Sequence, residues 1–253
     1  MKSSLYDRSF FETIDSGSAT SAAVVLGILA GPLKVKSYID IGCGSGSWLR
    51  TAANIFEIPE EATVGIDGEY ARSFHKNSKG TFFYRDLGLA LTPSEIGRFD
   101  LVSCLEVAEH LTCSRADGLV SELCQLAPVV LFSAAIPGQG GTGHINEQWP
   151  DYWREKFYSR GFEMFDAIRP HVWTDNRVSP WYAQNCFLFI DRKFTEIAAE
   201  FSSATMTSHD WRLRIVHPGI MQLAACESAG FRRLFRALPS RFVAGLRSRI
   251  FVR

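Results

Sequence analysis

The sequence predicts an α/β fold: a doubly wound, mostly parallel seven-stranded sheet with an antiparallel hairpin at one edge, followed by a helical C-terminal extension. Three observations support this class. Short apolar runs alternate with helical patterns as far as Arg160, a glycine-rich turn follows the first predicted strand, and the last two apolar runs have no convincing helix between them. Short apolar strands separated by helices are typical of a parallel sheet that is buried on both faces.

The elements follow one another in a regular order. An apolar stretch at 22–33 comes first; it is about half the length of a membrane span, so we interpret it as a buried helix. Strands are then predicted at 37–41, 63–66, 81–84, 99–105 and 129–135, and helices at 47–56, 68–77, 115–126 and 151–160. The last two runs, at 162–170 and 181–191, are predicted to form the antiparallel hairpin.

Composition favours one globular domain with an appendage. The 253 residues are 46% hydrophobic and carry no formal net charge, so the whole chain shows no footprint of a nucleic-acid partner. The charge is nevertheless uneven, because residues 1–190 have 16 basic and 22 acidic side chains whereas residues 191–253 have 11 and 5. We therefore place a domain boundary near Arg192, between a core domain at 1–190 and a basic helical extension at 191–253.

The cysteines and the N-terminus point to the cytoplasm. The six cysteines form no CxxC motif and no close Cys/His cluster, which favours reduced thiols over disulfides or a zinc site. The N-terminal segment lacks the apolar core of a signal peptide. The prediction is a cytoplasmic protein.

A glycine-rich turn follows the first predicted strand. Gly42, Gly44 and Gly46 lie in "YIDIGCGSGSWL" and precede a helix. Glycine allows a tight turn and a close approach of the backbone to a ligand, and the helix start offers unpaired N–H groups. The spacing is G-x-G-x-G and not the G-x-G-x-x-G of dinucleotide enzymes, so an NAD(P) enzyme is disfavoured.

Acidic residues end the next strands. Asp67 lies 21 positions after Gly46, where a carboxylate can accept both hydroxyls of a ribose, and Asp86 ends the third strand, where it can accept from the exocyclic amine of adenine. The fourth strand ends in "CLEVAEHL". A pyrophosphate would not favour so much negative charge, whereas S-adenosylmethionine has no phosphate and carries a sulfonium cation.

Together these segments resemble the successive motifs of class I S-adenosylmethionine-dependent methyltransferases. The resemblance covers roughly residues 18–190 and implies a Rossmann-like fold with S-adenosyl-L-methionine as cofactor. The segments "LFSAAIPGQGGTGHINEQWPDYW" and "WYAQN" are similar to a bacterial branch whose genes are often found with glycan-assembly enzymes. For that branch the implied acceptor is a small molecule with a sugar hydroxyl.

The resemblance also implies a role for individual positions. The methionine end of the cofactor would be lined by Asp40 and the three glycines, and Asp67 would hold the ribose. Asp86 and the backbone of Leu87 would contact the adenine, while Leu105 and Glu106 would flank the transferred methyl group. Ser18 and Ser21, at the start of the preceding helix, would cap the cofactor carboxylate.

The base that removes the acceptor proton is expected in the loops after the fourth and fifth strands. The candidates are His110, His144 and Glu147, and imidazole suits general base work near neutrality. The alternatives stay open: His110 packs under the cofactor, Glu109 is a first-turn acid of a helix, and residues 146–148 cap the helix that starts near Pro150. No trio of His, Asp and Glu has evident ligand spacing along the sequence, so no metal is predicted.

Alternatives also stay open for the role of the C-terminal residues and for the type of acceptor. Residues 231–253 contain seven arginines and no acid, with apolar residues every three to four positions. Such a helix can lie on anionic lipid at the inner face of the membrane, or dock on the domain or on a second subunit as a homodimer. The alternatives to an O-methyltransferase are an N- or carboxyl-methyltransferase and a non-catalytic cofactor-binding regulatory protein.

Overall fold

A seven-stranded sheet forms the centre of the molecule. The computed structural model describes residues 8–76 and 78–225. Within them the strand order is β3-β2-β1-β4-β5-β7-β6. The strands are β1 (Tyr38–Ile41), β2 (Thr63–Asp67), β3 (Thr81–Tyr84), β4 (Leu101–Leu105), β5 (Val129–Ser133), β6 (Phe162–Phe165) and β7 (Phe187–Asp191).

α-Helices and short 3₁₀ segments connect and follow these strands in the described part of the chain, and residues 218–225 are also helical. The helices are α1 (Arg8–Ala30), α2 (Ser47–Ile55), α3 (Pro93–Ile96), α4 (Ala116–Leu126), α5 (Pro150–Tyr158), α6 (Arg169–Val172), α7 (Pro180–Asn185) and α8 (Thr195–Glu200). No helix within 8–76 or 78–225 has both the length and the apolar character that crossing a bilayer requires.

The first five strands are parallel, and their order reverses between β1 and β4. The chain moves outward from β1 to β3 on one side and from β4 to β5 on the other. The loops that leave the carboxyl ends of β1 and β4 therefore diverge and open a crevice, which is where open α/β sheets bind ligands.

Two hydrophobic clusters cover the two faces of the sheet. Alternate residues of β1 divide between them: Ile39 and Ile41 lie in the cluster that contains α4, and Tyr38 lies in the cluster that contains α1 and α2. The predicted buried helix at 22–33 is helical as far as Ala30, as the end of α1, and Val25, Leu26 and other residues of α1 are fully enclosed. The alternating residues and the two helical layers confirm the predicted doubly wound architecture.

The antiparallel edge is also confirmed, although its connection differs from the prediction. β7 pairs antiparallel with both β5 and β6. The segment "WYAQN", predicted as part of a strand, forms helix α7 instead, and α6 precedes it. Both helices have a proline in the first turn, Pro170 and Pro180, where a fixed φ favours helix initiation.

The predicted helix at 68–77 is a 3₁₀ segment at Glu69–Phe74. The reason lies in His75, which ends it. The His75 ring stacks on Phe82 with a centroid distance of 3.8 Å, and its Nε2 lies 2.8 Å from the Gly44 carbonyl oxygen. These contacts draw the chain back to the sheet before an α-helix can extend.

Beyond β7 the described chain stays attached to the sheet. Thr205 forms an antiparallel bridge with Phe165, and the fully buried Arg169 donates to the Arg212 carbonyl. Leu213 belongs to a core cluster. The boundary near Arg192 stays a prediction, and the predicted amphipathic helix at 231–253 lies outside the described residues.

Candidate active site

A cavity of about 870 Å³ opens at the carboxyl ends of the parallel strands, around the crevice between β1 and β4. This volume is in the range of small-molecule sites. Most of the residues predicted to bind the cofactor line it, and so do two of the three predicted catalytic residues. They are Ser18, Asp40, Gly42, Gly44, Asp67, Asp86, Leu87, Leu105 and Glu106, with His110 and His144.

The glycine turn has the backbone geometry that only glycine adopts easily. Gly42, Gly44 and Gly46 all have positive φ angles, and Gly46 is the N-cap of α2. A Cβ on Gly42 would lie 2.3 Å from Cγ2 of Val107, in the loop after β4. The turn is therefore fixed both by its own conformation and by the neighbouring loop.

Asp67 joins the glycine turn to the end of β2. Its Oδ2 accepts from the Gly44 amide at 2.7 Å, and its Oδ1 accepts from the Gly68 amide and from the Tyr70 hydroxyl. Burial raises the pKa of Asp67, and these three donors lower it. Asp67 lines the cavity, but Tyr70, which the sequence did not single out, already uses part of the accepting capacity of its carboxylate.

Asp40 ends a buried hydrogen-bond chain under the turn. The Ser103 hydroxyl donates to Oδ1 of Asp40 at 2.5 Å, and the Tyr38 hydroxyl lies 2.5 Å from Ser103 Oγ. Burial raises the pKa of Asp40 to about 7; the Ser103 hydrogen bond lowers it, and the charge of Asp67 raises it. Asp40 is therefore poised to respond to a cation that enters the cavity.

The predicted adenine contacts lie in the loop after β3. Asp86 is exposed, and its Oδ1 accepts from the Gly88 amide at 2.9 Å, which stabilises the turn. Leu87 is buried, and its carbonyl accepts from Nε of Arg115 at 3.1 Å. Both residues line the cavity, so the structure brings them to the expected wall.

The two serines predicted to contact the cofactor carboxylate lie in different surroundings. Ser18 lines the cavity and its hydroxyl lies 3.3 Å from the Tyr182 hydroxyl. Ser21 is fully buried away from it: its Oγ donates to the Gly17 carbonyl and accepts from the Ser179 amide. Ser21 thus attaches α1 to the segment before α7, whereas Ser18 is in place to contact a ligand.

Glu106, directly after β4, is held in an unusual backbone conformation. Its φ is +54°, in the left-handed region that non-glycine residues rarely adopt. Asn185 and Gln139 donate to its two carboxylate oxygens at 3.1 and 3.0 Å. Burial raises the pKa of Glu106, and the hydrogen bonds lower it. Strained residues held by several partners are frequent at functional sites.

Two histidines and a second glutamate meet beside Glu106. One potential ligand atom from each of Glu109, His110 and His144 lies within 4.8 Å of the others. The sequence shows no trio with evident ligand spacing, and this one forms only because folding brings the loop after β5 over the loop after β4. Glu109 is the acid in the single turn of a three-residue 3₁₀ segment, Ala108–His110, and it is fully buried.

Burial favours the uncharged forms of Glu109 and His110. It raises the pKa of Glu109 well above its ordinary value, and the nearby charge of Glu106 raises it further, against the backbone amides of Glu109 itself and Ala135. It also lowers the pKa of His110 to about 4, with His144 contributing in the same direction. A buried acid with a raised pKa beside an imidazole with a lowered pKa is the kind of perturbed pair that marks functional sites.

Glu147 organises the loop that carries His144. Its carboxylate accepts from the Gly138 and Gly140 amides at 2.8 and 2.9 Å, and its Oε1 lies 3.0 Å from Nδ1 of His144. The Ile145 and Asn146 amides both donate to the Glu109 carbonyl. Glu147 therefore lies behind His144 and does not line the cavity. Helix α5 has Trp149 as its N-cap residue and receives no capping hydrogen bond from a side chain.

The tryptophans after β5 do not form one surface. Of the four at positions 149, 153, 173 and 181, Trp181 lines the cavity, whereas Trp153 is buried against Phe132. Trp149 lies under the guanidinium of Arg214. A sugar platform built from several of these rings is therefore not present in this region of the described chain.

No protein-family model and no curated protein sequence matches the chain. Solved structures do. An O-methyltransferase family protein from Burkholderia thailandensis has a TM-score of 0.52 and 10% identity over 73% of this chain and 57% of its own. DesVI of Streptomyces venezuelae has a TM-score of 0.52 and 13% identity over 71% and 96% of the two chains. The methyltransferase domain of bacterial CtHen1-C has a TM-score of 0.51 and 16% identity over 68% of this chain and 97% of its own.

These likenesses define the fold. The chain has the Rossmann-like fold of class I S-adenosylmethionine-dependent methyltransferases, as the resemblance of its motifs implied. It spans little more than half the length of the Burkholderia protein. At 10–16% identity the comparison shows the architecture and not the substrate.

Proposed function

We propose that the chain is an S-adenosylmethionine-dependent methyltransferase that O-methylates a small-molecule acceptor, with a sugar hydroxyl as the acceptor class. The acceptor class rests on the resemblance of the segments after β5 to the glycan-associated branch. The name of the Burkholderia neighbour, an O-methyltransferase family protein, agrees with a hydroxyl acceptor.

The observation that carries the proposal is the charge of the cavity wall. Its lining contains five acidic residues and a single arginine, Arg85; the acids are Asp40, Asp67, Glu69, Asp86 and Glu106. Such a wall disfavours a pyrophosphate and favours a cation without phosphate groups. A sulfonium cofactor with an ammonium group, a ribose and an adenine matches that chemistry.

The proposed cofactor orientation follows the order of the strand ends. The methionine part lies over the glycine turn, near Asp40 and Ser18. The ribose lies at Asp67, and the adenine lies near Asp86 and Leu87. The sulfonium methyl group then points toward Leu105 and Glu106, at the side of the cavity that His110 and His144 also line.

Methyl transfer is an in-line displacement. The acceptor oxygen attacks the methyl carbon, the carbon–sulfur bond breaks with its electron pair going to sulfur, and S-adenosylhomocysteine leaves. The protein must hold the oxygen about 3 Å from the methyl carbon and assist loss of its proton. The acceptor-side residues proposed for this are His144, with Glu147 orienting it, and His110.

Calorimetry and label transfer test the proposal. The full chain should bind S-adenosylmethionine and S-adenosylhomocysteine and should not bind NAD⁺ or NADP⁺. With methyl-labelled cofactor it should label fractionated sugar nucleotides, glycolipids or polysaccharide. Label that appears as an N-methylamine or as a methyl ester would replace the hydroxyl acceptor by an amine or a carboxylate. Cofactor binding without transfer to any fraction would favour a regulatory protein, and absence of binding would refute the proposal.

A further inference from the structure

One carboxylate and two imidazoles converge at the acceptor side of the cavity. The potential ligand atoms of Glu109, His110 and His144 lie within 4.8 Å of one another, and the two imidazole rings are nearly perpendicular, at 85°. Both rings line the cavity, so a group bound to them is accessible to a small molecule. This donor set suits divalent first-row metals, whereas Mg²⁺ and Ca²⁺ prefer oxygen ligands alone.

The surroundings of Glu109 are a second indication. Its side chain is fully buried, and neither carboxylate oxygen accepts a hydrogen bond of ordinary geometry; the polar groups that affect its pKa are the Glu109 and Ala135 amides and the carboxylate of Glu106. Buried carboxylates in proteins are normally hydrogen-bonded, paired with a cation or bound to a metal. The neighbouring acid, Glu106, already receives hydrogen bonds from Asn185 and Gln139. An ion beside Glu109 would supply the missing partner.

The residues behind the histidines have the arrangement that metal sites use. Metal-binding histidines usually engage a carboxylate or a backbone carbonyl through the ring nitrogen that faces away from the ion. Nδ1 of His144 lies 3.0 Å from Oε1 of Glu147, which leaves Nε2 for a ligand. His110 has a hydrogen bond with the backbone of Gly143. A Cβ on Gly141 would lie 2.4 Å from Nε2 of His144, so glycine there makes room for this ring.

We propose that Glu109, His110 and His144 bind one divalent first-row metal ion next to the methyl-transfer position. This replaces the expectation from the sequence that no metal is needed. Ligands of one ion lie about 3–4 Å apart, so the three side chains must close by roughly 1 Å on binding. The site itself is independent of the proposed function; only the ion's role in the reaction rests on it.

In that role the ion binds the acceptor hydroxyl oxygen. Coordination makes the hydroxyl proton easier to lose, and the proton passes to water. The metal-bound alkoxide then attacks the methyl carbon, and the carbon–sulfur electron pair goes to sulfur. The products are a methyl ether and S-adenosylhomocysteine. His144 is then a ligand that positions the ion and not the base that takes the proton.

Titration of the untagged, chelator-treated full chain with Co²⁺ tests the site, with visible absorption and calorimetry as readouts. We expect one Co²⁺ per chain with a micromolar or lower Kd and the absorption of a nitrogen–oxygen site. His110→Ala, His144→Ala and the near-isosteric Glu109→Gln should each weaken binding at least tenfold, and Glu147→Gln should weaken it about tenfold. His209→Ala, at an exposed position outside the cluster, is the matched control and should bind as the wild type does.

The binding of S-adenosylhomocysteine, measured in every variant, separates the two proposals and checks the fold. If wild-type protein binds that ligand but takes up no Co²⁺ at 1:1 stoichiometry, the metal site is refuted and the proposed function stands. Equal Co²⁺ binding by the Glu109→Gln and His209→Ala variants would also refute it. If Co²⁺ binds as expected but the nucleoside does not, the site exists and the proposed function fails.

Discussion

The Tyr70 hydroxyl donates a hydrogen bond to Oδ1 of Asp67, the carboxylate at the end of β2 that faces the cavity. The same oxygen accepts from the Gly68 amide, and Oδ2 accepts from Gly44. A ribose at this position must therefore share Asp67 with Tyr70 or displace its hydroxyl. The proposed ribose site can therefore be tested with two variants: one removes the carboxylate, and the other removes the hydroxyl that competes for it.

Removing the carboxylate should weaken cofactor binding. Asp67→Ala loses the acceptor for two ribose hydroxyls, which is equivalent to about 1–3 kcal/mol, or roughly 5- to 150-fold in affinity by calorimetry. Tyr70→Phe should instead tighten binding, by up to about tenfold, because the competing hydroxyl is gone. Weaker binding by Tyr70→Phe would mean that Tyr70 contacts the ribose itself, and unchanged binding by Asp67→Ala would remove Asp67 from the site.

The pH dependence of stability should report Asp40. Burial raises its pKa to about 7, whereas the unfolded value is about 3.9. Between these values the folded state binds more protons than the unfolded state, so stability is highest at the acid end and falls as pH rises through about 7. Relative to Asp40→Asn, the wild type should lose up to about 1.4 kcal/mol per pH unit between pH 5 and 7 and level off above pH 8.

Urea denaturation at pH 5, 6, 7 and 8 measures this difference. Ser103→Ala provides a second check, because it removes the donor that favours the ionised form of Asp40. In that variant the fall should extend to higher pH. A difference between wild type and Asp40→Asn that does not vary with pH would show that Asp40 keeps an ordinary pKa.

Alanine substitutions at two glycines with nearly equal φ can distinguish the cost of backbone strain from the cost of a steric clash. Gly42 has φ +81° and its Cβ would meet Val107 at 2.3 Å, whereas Gly138 has φ +84° and nothing lies within 4 Å of its Cβ position. Gly138→Ala should cost only the strain, about 1–2 kcal/mol of unfolding free energy. Gly42→Ala should cost clearly more and impair cofactor binding.

The double variant Gly42→Ala with Val107→Ala should recover part of that loss, because the conflicting methyl group is removed. Chemical denaturation and calorimetry of the three variants provide the comparison. Equal losses for the two single variants would show that Val107 moves aside at little cost.

Glu147 should act on the loop and not on the cofactor. Glu147→Gln loses one acceptor oxygen among the Gly138 and Gly140 amides and His144 Nδ1. We expect faster hydrogen exchange at residues 138–144, a kcat lowered about 10- to 100-fold, and unchanged cofactor affinity. Unchanged exchange with the same loss of kcat would point to direct participation of Glu147 in the reaction.

The sheet could be predicted from the sequence because its signals are local. Each strand is a short apolar run, and β3 begins and ends at the residues that the pattern indicates. Helix α7 was missed because "WYAQN" has aromatic residues typical of a strand, and only the proline before them indicates a helix start. The 3₁₀ segment after β2 could not be predicted, since it depends on His75 reaching the glycine turn.

The residues of the candidate site that follow directly after strands could be predicted from the sequence. The contacts between segments that are distant in the sequence could not. Asp40, Asp67 and Glu106 follow strands, so the topology alone places them together. Glu109 and His144 are far apart in the sequence, and contacts between the two loops bring them close, among them the hydrogen bonds from residues 145 and 146 to the Glu109 carbonyl.

The segment that follows α8 also protects the edge of the sheet. The Asp166 amide donates to the Ala204 carbonyl and the Met206 amide donates to the Met164 carbonyl, so this segment covers the outer side of β6 near the end of the strand. An open edge strand is a template for aggregation between chains. A truncated protein that ends at residue 191 would expose this edge, so expression of the catalytic fold as a soluble fragment requires the chain to continue beyond residue 206.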